Sequence, residues 1–488
     1  MPEKTKTPIV MKLEQNRDFL NQRIGVDQSF DIGFRKLDIL GKQVNIYYVT
    51  GLCETPVIVE MIEQLLDVEH DTDDNRGVFK RIQNGIPHQQ VEAVETMEQC
   101  ITQLLSGLAV LFIDGETEAL IVDVRSYPGR TPEEPDTEKV IRGSRDGYTE
   151  NIIENTALTR RRIRDERLRN EIMQVGERSK TDICLSYIQD VADPGLVEKL
   201  KKEIKGIDID GLSMADKTLE EYIVHQGYTP FPLVRYTERP DVVASHLFEG
   251  HVVIMVDTSP SVIITPTTYF HHVQHAEEFR QSPLVGTFVR WVRFFGILAS
   301  VFLLPLWMLF VLQPDLLPES FAFIGPNEET SIPVIFQILI ADLGLEMLRI
   351  AAIHTPTPLS TAMGLIAAVL IGQIAIDVGM FVPEVILYVA VSAIGSYATP
   401  SYELSVANKM SRVTLVIFVA MFGVKGFMIG LAAYVLLLAR IKSLNTPYLW
   451  PFLPFNPKAA IQIVFRMSMP MLKVRPSITN PQNNQRQK

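Results

Sequence analysis

Between Ile332 and Ile353 the chain reads IPVIFQILIADLGLEMLRIAAI, long enough to cross a bilayer, yet it carries Asp342, Glu346 and Arg349. A hydrocarbon core of about 30 Å takes roughly 20 apolar residues in a helix. An ionisable group at its centre costs roughly 2.5–3.5 kcal/mol on insertion scales. Positions 342, 346 and 349 follow an i, i+4, i+7 spacing, so the three side chains share one helical face. That face must look onto protein or water rather than lipid.

The rest of the composition divides along the same line. Up to about Arg293 the chain is an ordinary charged sequence, whereas Phe294 to Leu438 is mostly apolar, with charges confined to short breaks. The net charge of −11 therefore belongs to the front half. From Leu404 to Lys488 there is no Asp or Glu, yet Lys409, Arg412, Lys425, Arg440, Lys442, Lys458, Arg466, Lys473 and Arg475 are present, a bias typical of cytoplasmic segments. The opening residues, MPEKTKTPIVMKLEQNRD, lack an apolar core with a small-residue cleavage site, so the front half is expected to stay in the compartment where it is made. Cys53, Cys100 and Cys184 are far apart and form no CxxC pair, which suits buried free thiols in a reducing compartment.

The expected fold is an α+β soluble N-terminal region of two small α/β subdomains, followed by an α-helical multi-span membrane domain. Residues 1–27 read as a flexible arm or short helix, 28–125 as the first subdomain, and 126–177 as a linker with a long helix from near Tyr148. Residues 178–290 read as the second subdomain with a juxtamembrane helix, 291–442 as the transmembrane domain, and 443–488 as an interfacial segment with a basic disordered tail. Alternation on both sides of Leu40-Gly41-Lys42 predicts a hairpin over Lys36–Val49. Helices are predicted over Pro56–Leu66 and Val91–Leu105, and a second hairpin over Ala109–Val124 turning at Asp114-Gly115. Gly107 leading into LAVLFID matches Gly250 leading into HVVIMVD, so Asp114 matches Asp257 and the two subdomains read as an internal repeat. In the linker, Arg160, Arg161, Arg162, Arg164, Arg167 and Arg169 alternate with acids at pairing distance, as in a solvated, salt-bridged helix or a subunit contact.

Arg290 and Arg293 precede the first apolar segment, Phe294–Leu312, which orients the soluble region to the cytoplasmic side. The loop from Gln313 to Ser331 has acids and no Lys or Arg, as an outer loop should. The charged helix returns inward, Leu359–Ile376 goes out, and Val382–Ala398 comes back. Lys409 and Arg412 then mark an inner loop, as do Arg440 and Lys442, so a single crossing between them would break the orientation rule. Gly423-Val424-Lys425-Gly426 interrupts that stretch. A hairpin of two short helices with Lys425 near its tip is favoured over one long tilted span with Lys425 lining a wet interior. Gln373 could hydrogen-bond to the charged helix or to a local carbonyl.

The tract from His271 to Glu278 offers His271, His275 and Glu278 at helical spacing, but it is not HExxH, and an amphipathic juxtamembrane helix is the preferred reading. No phosphate loop, GxSxG elbow or paired-cysteine motif is present, so neither enzymatic activity nor a cofactor or metal is expected. An acidic soluble half without a basic stripe argues against nucleic-acid binding. For Asp342, Glu346 and Arg349 three roles remain open: an ion pathway with Gln373 and Lys425, structural pairing within the bundle, or a proton relay.

Four segments in order, EEPDTEKVIRGSRDGYTENIIENTALTRRRIR, TERPDVVASHLFEGHVVIMVD, LEMLRIAAIHTPTPLSTAMGLIAAVLIGQIAI and SLNTPYLWPFLP, resemble the A-subunit family of bacterial spore germination receptors. The resemblance covers nearly all of the chain past Phe30. It implies a cytoplasmic-side domain of two α/β subdomains and a multi-span domain in the spore inner membrane. It also implies a homo-oligomeric ion channel in contact with membrane lipid, acting with other inner-membrane germination proteins. Where the family reads close to RGPREGF, DGTP and ExLREA, this chain has Arg142-Gly143-Ser144-Arg145-Asp146-Gly147-Tyr148, Asp257-Thr258-Ser259-Pro260 and Glu346-Met347-Leu348-Arg349-Ile350-Ala351. These departures suit a paralogue that passes on or amplifies germination, with ion or dipicolinate release, more than a nutrient receptor. A nonconducting receptor or scaffold is the alternative, and no inverted repeat of spans points to a secondary transporter.

Overall fold

The computed structural model describes residues 7–67, 77–125, 138–325, 332–354, 364–365 and 372–487. The expected span at Leu359–Ile376 lies largely outside them, as do the linker residues 126–137 and Glu328 and Glu329. Two compact units emerge: Met1–His225 with Val234–Pro266 and Met469–Lys488, and Gln226–Leu233 with Thr267–Ser468.

In the first unit the chain makes the same set of elements twice. The first set comprises α1 (Leu13–Ile24), β1 (Ile32–Ile39), β2 (Lys42–Val49), α2 (Thr55–Asp67), α3 (Val78–Gly85), β3 (Val91–Val94), α4 (Met97–Leu104), β4 (Ala109–Ile113) and β5 (Ala119–Val122). The second comprises α5 (Ile152–Arg162), β6 (Leu168–Val175), β7 (Thr181–Ile188), α6 (Pro194–Lys205), α7 (Ala215–Val224), β8 (Arg235–Thr237), α8 (Pro240–Phe248), β9 (Val252–Val256) and β10 (Val262–Thr265). The strand orders, β1-β2-β4-β5-β3 and β6-β7-β9-β10-β8, are the same, and all the pairings are antiparallel. Gly107 and Gly250 both take positive φ, 95° and 94°, a backbone that glycine adopts without a Cβ clash at the turn from helix to strand. Leu40 and Gly41, at φ 51° and 71°, close the first hairpin where the alternation placed it.

Three expectations change. Residues 91–94 are a strand rather than the start of a helix, because they pair with β5 from Val91↔Val122 to Val94↔Ala119. The linker helix ends at Arg162, and residues 168–175 become β6, so the second sheet starts ten residues before the expected boundary at 178. The C-terminal tail, expected to be disordered, is packed. Arg475 Nε donates to the Phe248 carbonyl at 2.7 Å and Thr479 Oγ1 to that of Glu249 at 2.6 Å, satisfying acceptors at the end of α8. At the other terminus, α1 is ordered because Leu13, Leu20 and Ile24 are buried in the core under the first sheet.

His246 and His251 stack edge to face behind the second sheet, ring centroids 4.9 Å apart, with Nδ1 of each ring in contact with a backbone carbonyl. Burial drives both toward the neutral form and lowers His251 to about 4. An unfolded histidine titrates near 6.5, so the stabilising difference is intact above that pH and is lost as pH falls toward 4. The stability of this unit is expected to drop by about 3 kcal/mol between pH 6.5 and 4 from His251 alone. Thermal melts across that range, with His251→Phe flattening the slope, check it.

The second unit is helical: α9 (Tyr269–Val273), α10 (Ala276–Arg280), α11 (Pro283–Leu312), α12 (Val334–His354), α13 (Pro383–Tyr397), α14 (Tyr402–Arg440) and α15 (Pro457–Val464), with a small ladder of β11 (Lys442–Ser443) and β12 (Thr446–Pro447). Two helices among the described residues, α11 and α14, are long and apolar enough to cross a membrane. Helix α13 is shorter and α12 carries the three charges. Helix α14 is broken at Gly423, whose φ of 58° and ψ of −133° are not helical. A Cβ on Gly430 would stand 2.6 Å from Leu415 Cδ2, whereas fifteen residues of straight helix would separate them by about 22 Å. The two limbs therefore fold back on each other as a helical hairpin, the arrangement favoured from the glycines, and Lys425 lies beside its tip. The backbones of α11 and α13 touch at Gly296 and Gly395, where any side chain on Gly395 would collide with the Gly296 carbonyl.

Candidate functional site, a charge network in the helical bundle

The core of this unit joins Leu304, Trp307 and Met308 of α11, Ile338 and Ala341 of α12, Val385 and Val389 of α13, and Val416 and Val419 of α14. Helix α12 turns Phe336, Ile340, Leu343, Met347 and Ile350 outward, so its outer face is wholly apolar. The opposite face carries the charges into the bundle. Asp342 is 4% exposed. Its Oδ1 accepts from Arg412 Nη2 of α14 at 2.5 Å and lies 3.6 Å from Lys409 Nζ. Arg412 Nη1 donates to the Ser300 carbonyl of α11 at 2.9 Å, so a single guanidinium ties three helices together. Lys409 Nζ donates to Glu346 Oε2 at 2.7 Å and to the Asp342 carbonyl at 3.2 Å. Glu346 also accepts from Arg349 at 2.5 Å, one turn along α12, and the Arg349 guanidinium lies 4.9 Å from the ring centre of Tyr402.

Three cations thus enclose two carboxylates in an otherwise apolar bundle. Asp342, which has no cation near it in sequence, finds one seventy positions away. Lys409 and Arg412, read from the sequence as an inner loop, are the partners of the charged face; Arg412 is 1% exposed. The signal was present as two cations three residues apart inside an apolar helix beginning at Tyr402. Of the remaining site candidates, Gln373 is exposed and is not brought into this network among the described contacts, and Lys425 is exposed at the hairpin tip.

A second ion cluster sits where α11 begins. Glu278 is fully buried, accepts from Arg290 Nε at 2.7 Å and pairs with Arg293. Arg290 also donates to the carbonyls of Gln462 and Ile463 in α15, at 2.9 Å each. The arginines taken as an orientation signal are thereby spent inside the protein. Glu278 is spent with them, while His271 Nδ1 accepts from the Thr268 backbone N–H and His275 Nδ1 from that of Glu277. Among the described residues no group of three or more His, Cys, Asp and Glu could hold a metal ion.

Three of the linker arginines are likewise paired within the first unit. Arg160 and Asp31 form an ion pair with both side chains 1% exposed, Arg162 bonds Asp146, and Arg167 bonds Asp165 and Asp190.

The family model described as Bacillus/Clostridium GerA spore germination protein matches residues 18–478. The chain is 61% identical to stage V sporulation protein AF of Bacillus subtilis (strain 168), over 97% of this chain and 96% of that one. It is 27% identical to spore germination protein KA of the same organism, over 99% and 90% respectively. The crystal structure of the N-terminal domain of the A subunit of the Bacillus megaterium spore germinant receptor GerK3 matches 55% of this chain and 99% of its own, at 28% identity and a TM-score of 0.43. With a family match across almost its whole length and relatives aligned end to end, the chain belongs to the GerA family of spore germination proteins.

Proposed function

We propose that this chain is a multi-pass subunit of the spore inner membrane that assembles with copies of itself into an ion channel. Its opening would transmit or amplify the germination response and promote ion and dipicolinate release. Its repeated α/β region would lie on the cytoplasmic side, and other germination proteins of the same membrane would be its partners. The observation that carries this reading is the network of Asp342, Glu346, Arg349, Lys409 and Arg412, five ionisable groups held in an apolar bundle where charge is costly unless it serves structure or transport. In this arrangement the network is closed: every carboxylate is held by cations of the same chain. Opening would require these pairs to exchange for water or for a permeating ion.

That closure also favours a second reading, in which the subunit does not conduct and the network only locks α12 to the α14 hairpin, passing a signal from the soluble region. The two separate in one experiment. Purified protein in liposomes is expected to release trapped monovalent cations, and Asp342→Asn with Glu346→Gln is expected to change that release roughly tenfold while the protein still assembles. Wild-type liposomes no leakier than protein-free ones would support the nonconducting subunit instead.

A further inference from the structure

Asn408 lies one turn before Arg412 on α14 and is 0% exposed. Its amide meets the Tyr269 hydroxyl, while Arg412 Nε and the equally enclosed Tyr448 hydroxyl have no hydrogen-bond partner among the described residues. Native proteins pair such groups with protein or with bound water, and an open guanidinium N–H and an open hydroxyl enclosed in one oily bundle are rare exceptions to that rule. These groups also belong together. Asn408 faces the Tyr269 hydroxyl, which meets the Tyr434 hydroxyl from the second limb of the hairpin. The Tyr269 ring stands 6.0 Å from that of Tyr448, and His272 lies 6.1 Å beyond. On its other side Asn408 shares a helix face with Arg412, whose two terminal nitrogens are engaged by Asp342 and Ser300, which leaves Nε–H to point elsewhere.

We infer that Asn408 occupies a hydrated chamber inside a single subunit, where bound water bridges its amide to Arg412 Nε–H and to the tyrosine hydroxyls. The donors and acceptors match water. Asn408 Oδ1 accepts, its Nδ2 and the arginine Nε–H donate, and the tyrosine hydroxyls do either, so each water meets the two to four polar partners it requires. The chamber joins the Asp342–Arg412 ion pair to the tyrosines at the juxtamembrane base, giving one polar thread through the protein. If the subunit conducts, this thread places a wet route within each subunit beside the charge network. That consequence rests on the channel reading, whereas the hydration itself does not.

Hydroxyl-radical footprinting of the intact wild-type protein, with radicals generated in place from bound water by brief X-ray exposure, tests the hydration directly. Tyr448 and Trp307 are both enclosed, at 0% and 2% exposure, but Trp307 Nε1 donates to the Ile324 carbonyl at 2.7 Å and faces no open polar group. Tyr448 is expected to be oxidised roughly tenfold faster than Trp307, and Asn408→Leu to bring it down to the Trp307 rate. Equal rates in the wild-type protein overturn the chamber whatever the ion flux. Should Asn408→Leu fail to fold, the wild-type comparison still decides. Liposomes that do not leak, with Tyr448 still labelled, would refute the channel and leave the chamber standing.

Discussion

Arg412→Leu is expected to lower the stability of the detergent-solubilised protein by about 3–5 kcal/mol, one of the two largest losses from any single substitution proposed for this chain. The change strands Asp342, 4% exposed, with Lys409 at 3.6 Å as its remaining cation and removes the donor that reaches the Ser300 carbonyl. A buried carboxylate deprived of its guanidinium either stays charged at high cost or takes up a proton, and both routes draw on folding free energy. The double variant Asp342→Leu with Arg412→Leu is expected to recover most of the loss, because neither charge is left to be desolvated. Melting curves of the two singles and the double, read as a thermodynamic cycle, measure the coupling. An Arg412→Leu protein as stable as wild type would mean that Asp342 is already neutral or hydrated, and the network would lose its role as the tie among α11, α12 and α14.

This network also marks how far local pattern reaches. The helical spacing of Asp342, Glu346 and Arg349 fixed their common face, because three residues on one helix obey a single periodicity. Their partners could not be found the same way. Lys409 and Arg412 lie on another helix, and counting positive charges assigned them to a loop because the count treats buried and exposed cations alike. Arg290 and Arg293 were counted in the same manner, although Glu278 holds both. The repeat was legible from the matched Gly107 and Gly250 because a backbone at φ near 95° demands glycine in both copies. Strands β3 and β6 were not legible, since VEAV and LRNEIMQV adjoin helix-forming stretches and become strands only through partners elsewhere in the chain, β5 for one and β7 for the other. The hairpin in α14 was readable because Gly423 and Gly426 permit a reversal and close limb contact that larger residues would block.

Arg160→Ala should cost the first unit about 3–5 kcal/mol, whereas Arg161→Ala, one residue along the same TRRRIR run, should stay within about 0.5 kcal/mol. Arg160 donates from Nε to Asp31 at 3.0 Å and from Nη2 at 3.4 Å, while its terminal nitrogens also reach the Leu168 carbonyl at 3.3 and 3.2 Å. Asp31 in turn accepts from Asn170 Nδ2 at 3.0 Å, and Asn170 is held by Ser186 Oγ at 2.8 Å. One guanidinium therefore fastens the start of the first sheet to the first two strands of the second, in a site sealed from water. Arg161 is exposed, so whatever it contacts is made at the surface, where an ion pair is worth about 0–1 kcal/mol. Arg160→Lys is expected to rescue little, because a single ammonium cannot span the carboxylate and the carbonyl as the planar fork does. Denaturant titration of the three variants checks the ranking. A rescue by lysine close to wild type would show that charge alone, not the fork, holds the two repeats together.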